Sequence, residues 1–256
     1  MNCSIVQESR KGRRSRNQDR VGHWRAPEAL LMAVADGMGG HEGGELAAQV
    51  AVEHLAGAFR AEAKPRLPDP GRFLRCSLEG AHAAIVQQGV KAGLGDSPRT
   101  TLVACLVQGG HAFWSFVGDS RLYLIRAGRV LTRTKDHTVV QQLVDAGRMR
   151  EEAVAAHPER NKLLRCLGGS VASACEPVAS APLAKGDIVL LCTDGLWGCL
   201  TPRQLVVRLI GKDPARALPD VTALAEAHGG PDCDNISAVL MQWHGGAVSE
   251  ARTGRG

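Results

Sequence analysis

Four short apolar runs in this 256-residue chain each meet an aspartate at one end, a pattern that few sheet arrangements can accommodate by accident. Leu30-Leu31-Met32-Ala33-Val34-Ala35 leads into Asp36-Gly37, Phe113-Trp114-Ser115-Phe116-Val117-Gly118 into Asp119, and Ile188-Val189-Leu190-Leu191-Cys192-Thr193 into Asp194-Gly195. Asp234 stands just before Ile236-Ser237-Ala238-Val239-Leu240-Met241. Apolar runs of this length, bounded by turn residues, predict strands. If the last strand runs antiparallel to the others, all four carboxylates gather at one edge of the sheet. Crowded carboxylates raise one another's pKa unless a cation neutralises them. An all-oxygen donor set suits a hard ion, Mg²⁺ or Mn²⁺. Taken singly, each aspartate is explained as well by a turn, since Asp-Gly is a common turn pair; four at matched strand ends favour a shared site.

Hydrophobic residues make up 44% of the chain and charged residues 22%, ordinary values for a globular protein. With four Phe, four Trp and one Tyr, the core has to be built mainly from Val, Leu and Ala. No Pro/Gly/Ser-rich linker divides the chain, so one domain over residues 1–244 is expected, followed by a disordered tail at 245–256. The net charge of +5 is concentrated in Arg10-Lys11-Gly12-Arg13-Arg14-Ser15-Arg16, an anion-binding surface. No aromatics are interleaved with it and no nucleic-acid module follows, which argues against nucleic acid as the anion. Eight cysteines include no CxxC pair. Cys105 and Cys192 lie inside apolar runs and read as small buried hydrophobes in a reducing compartment. The first twenty residues are polar and basic, and the longest apolar run is far too short to span a bilayer. The expectation is a cytoplasmic monomer with no membrane partner.

Periodicity gives a coarse map. A first strand pair is expected at 5–7 and 21–24, then the strand ending at Asp36. Leu46, Val50, Leu55, Ala58 and Phe59 fall at helical spacing, and a second helix is expected at about 71–90. Strands follow at 101–107, 112–117 and 121–126, with Ala127-Gly128 turning into Val130-Leu131. Short connections such as Gln108-Gly109-Gly110 predict hairpins. From 136 to 169 the chain reads as polar and helical, interrupted by Pro158 and too charged for core. Helices at about 202–210 and 215–227 precede the last strand.

The glycine-rich Gly37-Met38-Gly39-Gly40-His41-Glu42-Gly43-Gly44 links a strand to a helix but has neither GxGxxG nor GxxxxGK[ST] spacing. These glycines read instead as letting backbone approach the metals, with the Gly37 carbonyl free to serve as a ligand. None of the nine histidines lies in HExxH or a comparable pair; His41, beside the proposed site, is the one with a candidate role. An arginine of the basic cluster facing a phosphate fits the guanidinium's two-pronged grip on oxygen pairs.

Taken together, Arg14-Ser15-Arg16-Asn17-Gln18-Asp19, Ala35-Asp36-Gly37-Met38-Gly39-Gly40, Thr100-Thr101, Val117-Gly118-Asp119-Ser120-Arg121, Asp136-His137, Leu167-Gly168, Cys192-Thr193-Asp194-Gly195-Leu196-Trp197 and Asp234-Asn235-Ile236-Ser237 follow a known order. Across about 5–243 the chain resembles the metal-dependent protein serine/threonine phosphatases of type 2C, in their compact bacterial branch. The resemblance implies an α+β fold, a four-layer αββα sandwich of two mainly antiparallel sheets flanked by helices. It implies that Asp36 bridges two tightly bound ions, that Gly37 gives its carbonyl to one, and that Asp194 and Asp234 bind the other. It places Asp119, with Asp194, at a third, weaker and more exposed ion, and Arg14 on the substrate phosphate. The segment at about 137–167 corresponds to the family's flap. The reaction implied is direct attack of a metal-bridging water or hydroxide on phosphoserine or phosphothreonine of protein substrates, opposing a bacterial serine/threonine kinase. The alternative is a phosphatase-like domain acting as a catalytically weak regulatory partner of a kinase. Two positions depart from many relatives: Gln18 replaces a Glu, and Met38 replaces a histidine proposed as general acid, leaving His41 or a metal-bound water for that role.

Overall fold

A strand with no polar residue from Leu30 to Ala35 needs cover on both faces, which a sheet buried between two further layers provides. The computed structural model describes residues 1–38, 43–95, 98–169 and 174–245, except for the side chains at 152, 155 and 156. In chain order it comprises β1 (Asn2–Arg10), β2 (Asp19–Arg25), β3 (Ala29–Met38), α1 (Gly43–Glu62), α2 (Pro70–Lys91), β4 (Arg99–Thr100), β5 (Leu102–Gln108), β6 (His111–Val117), β7 (Arg121–Arg126) and β8 (Arg129–Arg133). The second half continues with α3 (Val139–Asp145), β9 (Leu167–Gly168), β10 (Ala179–Pro182), β11 (Ile188–Cys192), α4 (Asp194–Trp197), α5 (Pro202–Leu209), α6 (Pro214–Gly229) and β12 (Ile236–Gly245). Short 3-10 turns lie at Glu151–Ala156 and Gly230–Asp232.

One sheet has the order β1-β12-β11-β7-β8. The other runs β10-β6-β5-β3-β4-β9, with β2 also paired to β3. All pairings between these strands are antiparallel. Alternate residues of the apolar strands feed different cores. Leu31 and Ala33 of β3 pack with Leu55, Phe59, Phe73 and Leu78 of α1 and α2. Leu30, Met32 and Val34 point the other way, against Val189, Leu191, Val239 and Met241 of the facing sheet. Leu190, Cys192 and Leu240 then meet Leu205, Leu209 and Val221 of the second helical layer. Burying each Leu, Val or Phe stabilises the fold by roughly 1.5–3 kcal/mol, so three cores in series hold four layers together. This is the αββα arrangement expected above.

The outer helices begin on a repeated sequence grammar, a capping residue followed by proline. Asp69 Oδ1 accepts the Arg72 N–H at 2.9 Å ahead of α2. Thr201 and Gln204 form a reciprocal capping box at α5, and Asp213 Oδ1 accepts the Ala215 N–H at 3.1 Å at α6. Each cap is worth about 1 kcal/mol. No helix among the described residues is long and apolar enough to cross a membrane.

Several expectations change. The strands at 5–7 and 21–24 are not a pair: β1 joins β12 in one sheet and β2 joins β3 in the other. The three-residue link Gly118-Asp119-Ser120 is not a hairpin but a crossing from one sheet to the other. Between 136 and 169 only α3 is α-helical, and Val140, Val154 and Leu167 are buried in a segment expected to stay outside the core. Gly245, assigned to the tail, ends β12; residues 246–256 and His41 lie outside the described residues.

Candidate metal centre

Because β3 and β6 both pair antiparallel with β5, their C-terminal ends lie at the same edge. β12 runs antiparallel to β11, so its start lies beside the end of β11. Asp36, Asp119, Asp194 and Asp234 accordingly line one cleft of about 380 Å³, together with Gly37, Met38, Arg14, Ser15, Arg16, Gln18, Asn235 and, from the segment before β9, Asn161 and Leu163. Asp36 and Asp119 come from one sheet, Asp194 and Asp234 from the ends of the other.

Each carboxylate is held through its backbone. The Asp36 N–H donates to Thr101 Oγ1 at 3.0 Å, and the Asp36 carbonyl accepts from the Thr101 N–H and the Thr100 hydroxyl, both at 2.9 Å. The two threonines therefore act as a clamp on the end of β3. Gly37 stays inside that strand rather than following it. A Cβ there would stand 2.1 Å from the Gly44 carbonyl oxygen, so the glycine is required by the close approach of α1 to the strand. Gly195 serves the same purpose beside Asp194, where a Cβ would come 2.0 Å from the Asn235 carbonyl oxygen. Asn235 organises the basic loop: its Nδ2 donates to the carbonyls of Lys11 and Arg16 at 2.7 and 2.9 Å, and its Oδ1 accepts the Gln18 N–H at 2.8 Å. Arg14 is thereby delivered to the rim of the cleft, where its guanidinium donates to Asp234 Oδ2 at 2.7 Å. It remains 57% exposed along its side chain, open to an incoming anion.

A fifth carboxylate, Asp19, lies beneath the four. It faces Asp36 across the β2–β3 pair, is 2% exposed, and accepts the Thr193 hydroxyl at 2.9 Å through Oδ2. Sequence reasoning quoted Asp19 only as a landmark, because no apolar run leads into it; its place at the start of a strand preceding Asp36 was the available signal. Asn161 was missed as well. Asp119 differs from the other three in its surroundings. Of the four it alone is buried, at 4% exposure, and Trp197 donates its indole N–H to the Asp119 carbonyl at 2.9 Å.

The electrostatics call for a cation. Burial, then the charges of Asp19 and Asp194, pushes Asp36 well above the usual carboxylate range. Burial and then Asp194 do the same to Asp119. Asp19 is pushed up to about 7, chiefly by burial. Asp194 rises to about 6 through burial and the neighbouring Asp234. One oxygen each of Asp19 and Asp194 is buried without a hydrogen-bond partner. Such atoms are costly unless something positive meets them. Among the described residues no three His, Cys, Asp or Glu side chains are drawn into a finished metal cage, and Arg14 holds one oxygen of Asp234. The donors are nevertheless the right kind, all hard oxygens around an orphaned carboxylate atom, and they fit a divalent cation.

A family model described as Protein phosphatase 2C matches residues 6–227. The serine/threonine protein phosphatase PstP of Mycobacterium tuberculosis is 35% identical over 232 residues, which cover 89% of this chain and 42% of that protein. The chain thus spans less than half the length of that relative. Among solved structures, the Streptococcus agalactiae serine/threonine phosphatase is 28% identical with a TM-score of 0.82, covering 94% of this chain and 99% of its own. The catalytic domain of PstP in complex with two manganese ions is 31% identical with a TM-score of 0.81, covering 94% and 97%.

Proposed function

The chain belongs to the protein phosphatase 2C family, and on that premise we propose that it hydrolyses phosphoserine and phosphothreonine in proteins at the carboxylate cleft, using Mg²⁺ or Mn²⁺. The observation that carries the proposal is the convergence of Asp36, Asp119, Asp194 and Asp234 on one cleft with Arg14 at its rim. When bound, divalent ions supply an activated water as nucleophile and offset charge on the phosphoryl oxygens. Asp36, with the Gly37 carbonyl, and the pair Asp194 and Asp234 would hold two ions tightly; Asp119 with Asp194 would hold a third, more weakly. Arg14 exchanges Asp234 for the substrate phosphate, whose equatorial oxygens match its two-pronged donor geometry. Asn235 keeps the loop carrying Arg14 in place during that exchange. Asn161 and Leu163 also line the cleft, where a flanking peptide would lie. The substrates are then phosphoproteins, such as the targets of a bacterial serine/threonine kinase.

A phosphopeptide assay tests the reading. Release of phosphate should require Mn²⁺ or Mg²⁺, cease in excess EDTA, and leave no covalent phosphoenzyme after acid quench. Undiminished activity in EDTA would remove the metal centre, and a trapped acyl phosphate would replace direct attack with a two-step route. A domain without turnover, binding phosphoprotein only, would show affinity for phosphopeptide and no release of phosphate.

A further inference from the structure

Asp119 sits on a three-residue crossing between the sheets, and a chain that sharp needs anchors on both sides if its carboxylate is to hold one direction. Trp197 supplies one, on the Asp119 carbonyl. The other falls on Gly118, which has a φ of +101° and where a Cβ would stand 2.6 Å from the Thr101 side chain. Both faces of the Gly118 residue are taken by His137: the Gly118 carbonyl accepts the His137 N–H at 2.9 Å, and the Gly118 N–H reaches His137 Nδ1 at 3.1 Å.

A backbone N–H can only donate, so Nδ1 is the unprotonated nitrogen and the ring proton is on Nε2. Nε2 lies 3.0 Å from Glu176 Oε1 and donates to it. Glu176 is fixed in turn, its N–H on the Phe116 carbonyl at 2.9 Å and its carbonyl accepting the Ser115 hydroxyl at 2.6 Å. Arg165 donates to the same Oε1 at 3.0 Å. The imidazole stacks on Phe116 with ring centroids 4.9 Å apart, and burial lowers its pKa, which favours the neutral ring this arrangement needs. The same residue is the root of the flap. Its carbonyl accepts the Leu164 N–H at 2.7 Å, Thr138 pairs with Leu163, and Thr138 caps α3.

We propose that His137, oriented by Glu176, is a positioning residue for Asp119, holding the Gly118 peptide so that this carboxylate keeps its aim and joining it to the flap wall of the cleft. The inference rests on the metal-centre reading above. A group that orients a ligand-bearing segment without touching the ion controls how well the site binds, on the order of 10–100-fold when it is lost.

The test compares His137→Gln with His137→Asn in the full chain. The Asn amide oxygen reaches as far from Cβ as Nδ1 does and can accept the Gly118 N–H, whereas the longer Gln side chain carries its oxygen past it. In EDTA, amide hydrogen exchange at Gly118 should accelerate in His137→Gln and stay near wild type in His137→Asn. The Mn²⁺ concentration for half-maximal phosphopeptide turnover should rise about tenfold or more in His137→Gln, with the stoichiometry of tight ions by calorimetry unchanged, and His137→Asn should restore most of the loss. Identical exchange and Mn²⁺ dependence in His137→Gln and wild type would overturn the proposal, as would equal impairment in His137→Asn. If His137→Gln fails to fold, Glu176→Ala decides, because it spares the ring and removes the acceptor that orients it, along with the bond to the exposed Arg165: a smaller shift in the same direction supports the role, and no shift overturns it. A wild type that needs no Mn²⁺ at all would instead overturn the metal-centre reading.

Discussion

Arg14 has two claims on it: the carboxylate of Asp234, 2.7 Å away, and the phosphate it is proposed to bind. The first is an exposed ion pair, of little worth in stability; the second is charge-assisted and used only with substrate. Arg14→Ala should therefore weaken phosphopeptide turnover by about 1.5–3 kcal/mol in kcat/KM. Calorimetry should find tight-ion affinity equal or slightly higher, since Asp234 no longer has a competing partner. A large loss of ion affinity would assign Arg14 to the metal centre instead. Asp36→Asn should abolish turnover, and a variant retaining half the rate would remove Asp36 from the role proposed for it. At this scale the sequence was most readable where an aspartate ended an apolar run, as at Asp36 and Asp194. Asp19 escaped because its neighbours are polar, and the anchor on Asp119 was not legible because Trp197, which donates to its carbonyl, is distant in the chain.

Among elements, a buried ion pair adds to the contacts of His137 in attaching the segment at 137–167 to the sheets. Arg121, at the start of β7, donates to both oxygens of Asp136 at 2.8 and 2.7 Å, and its guanidinium lies 3.5 Å from the ring centre of Trp197 on α4. Both partners are almost fully buried, so removing either strands a charge. Asp136→Ala should cost about 3–5 kcal/mol of stability, read as a lower urea midpoint with an unchanged slope. A shift below 1 kcal/mol would mean that water reaches the orphaned guanidinium. Gly37→Ala tests the strand–helix approach: overpacking against Gly44 should cost about 1–3 kcal/mol, and a neutral result would show that α1 can retreat without penalty. The hairpin of β5 and β6 was legible in its Gly109-Gly110 turn. The crossing at Gly118-Asp119-Ser120 was not, since three residues between two apolar runs look alike whether the second strand pairs beside the first or across from it. β1 and β2 misled for the same reason: adjacency in sequence says nothing about which sheet each joins.

For the molecule as a whole, buried carboxylates couple stability to pH. Asp19 and Asp194 are raised from an ordinary 3.8 to about 7 and about 6. Between the unfolded and folded values the native state holds more protons than the unfolded chain, so stability falls as pH rises through that window. Protein kept in EDTA should thus be more stable near pH 4.5 than near pH 7 as far as these groups decide it, and saturating Mn²⁺ should remove the difference by binding the native state alone. Denaturation midpoints rising with pH in EDTA would contradict the clustering. The layered architecture itself was legible only through resemblance, because periodicity marks which residues are buried and not which layer covers them. A last consequence follows from β12, which lies between β1 and β11 although it is formed by residues 236–245. The ribosome delivers that strand, with Asp234 just ahead of it, after every other element described here. Until it is inserted, β1 has no neighbour in its sheet and the cleft lacks one wall. Long-range pairing of this kind is slow to form, so on the proposed reading the cleft would be able neither to hold ions nor to act on a phosphoprotein before synthesis has passed residue 245.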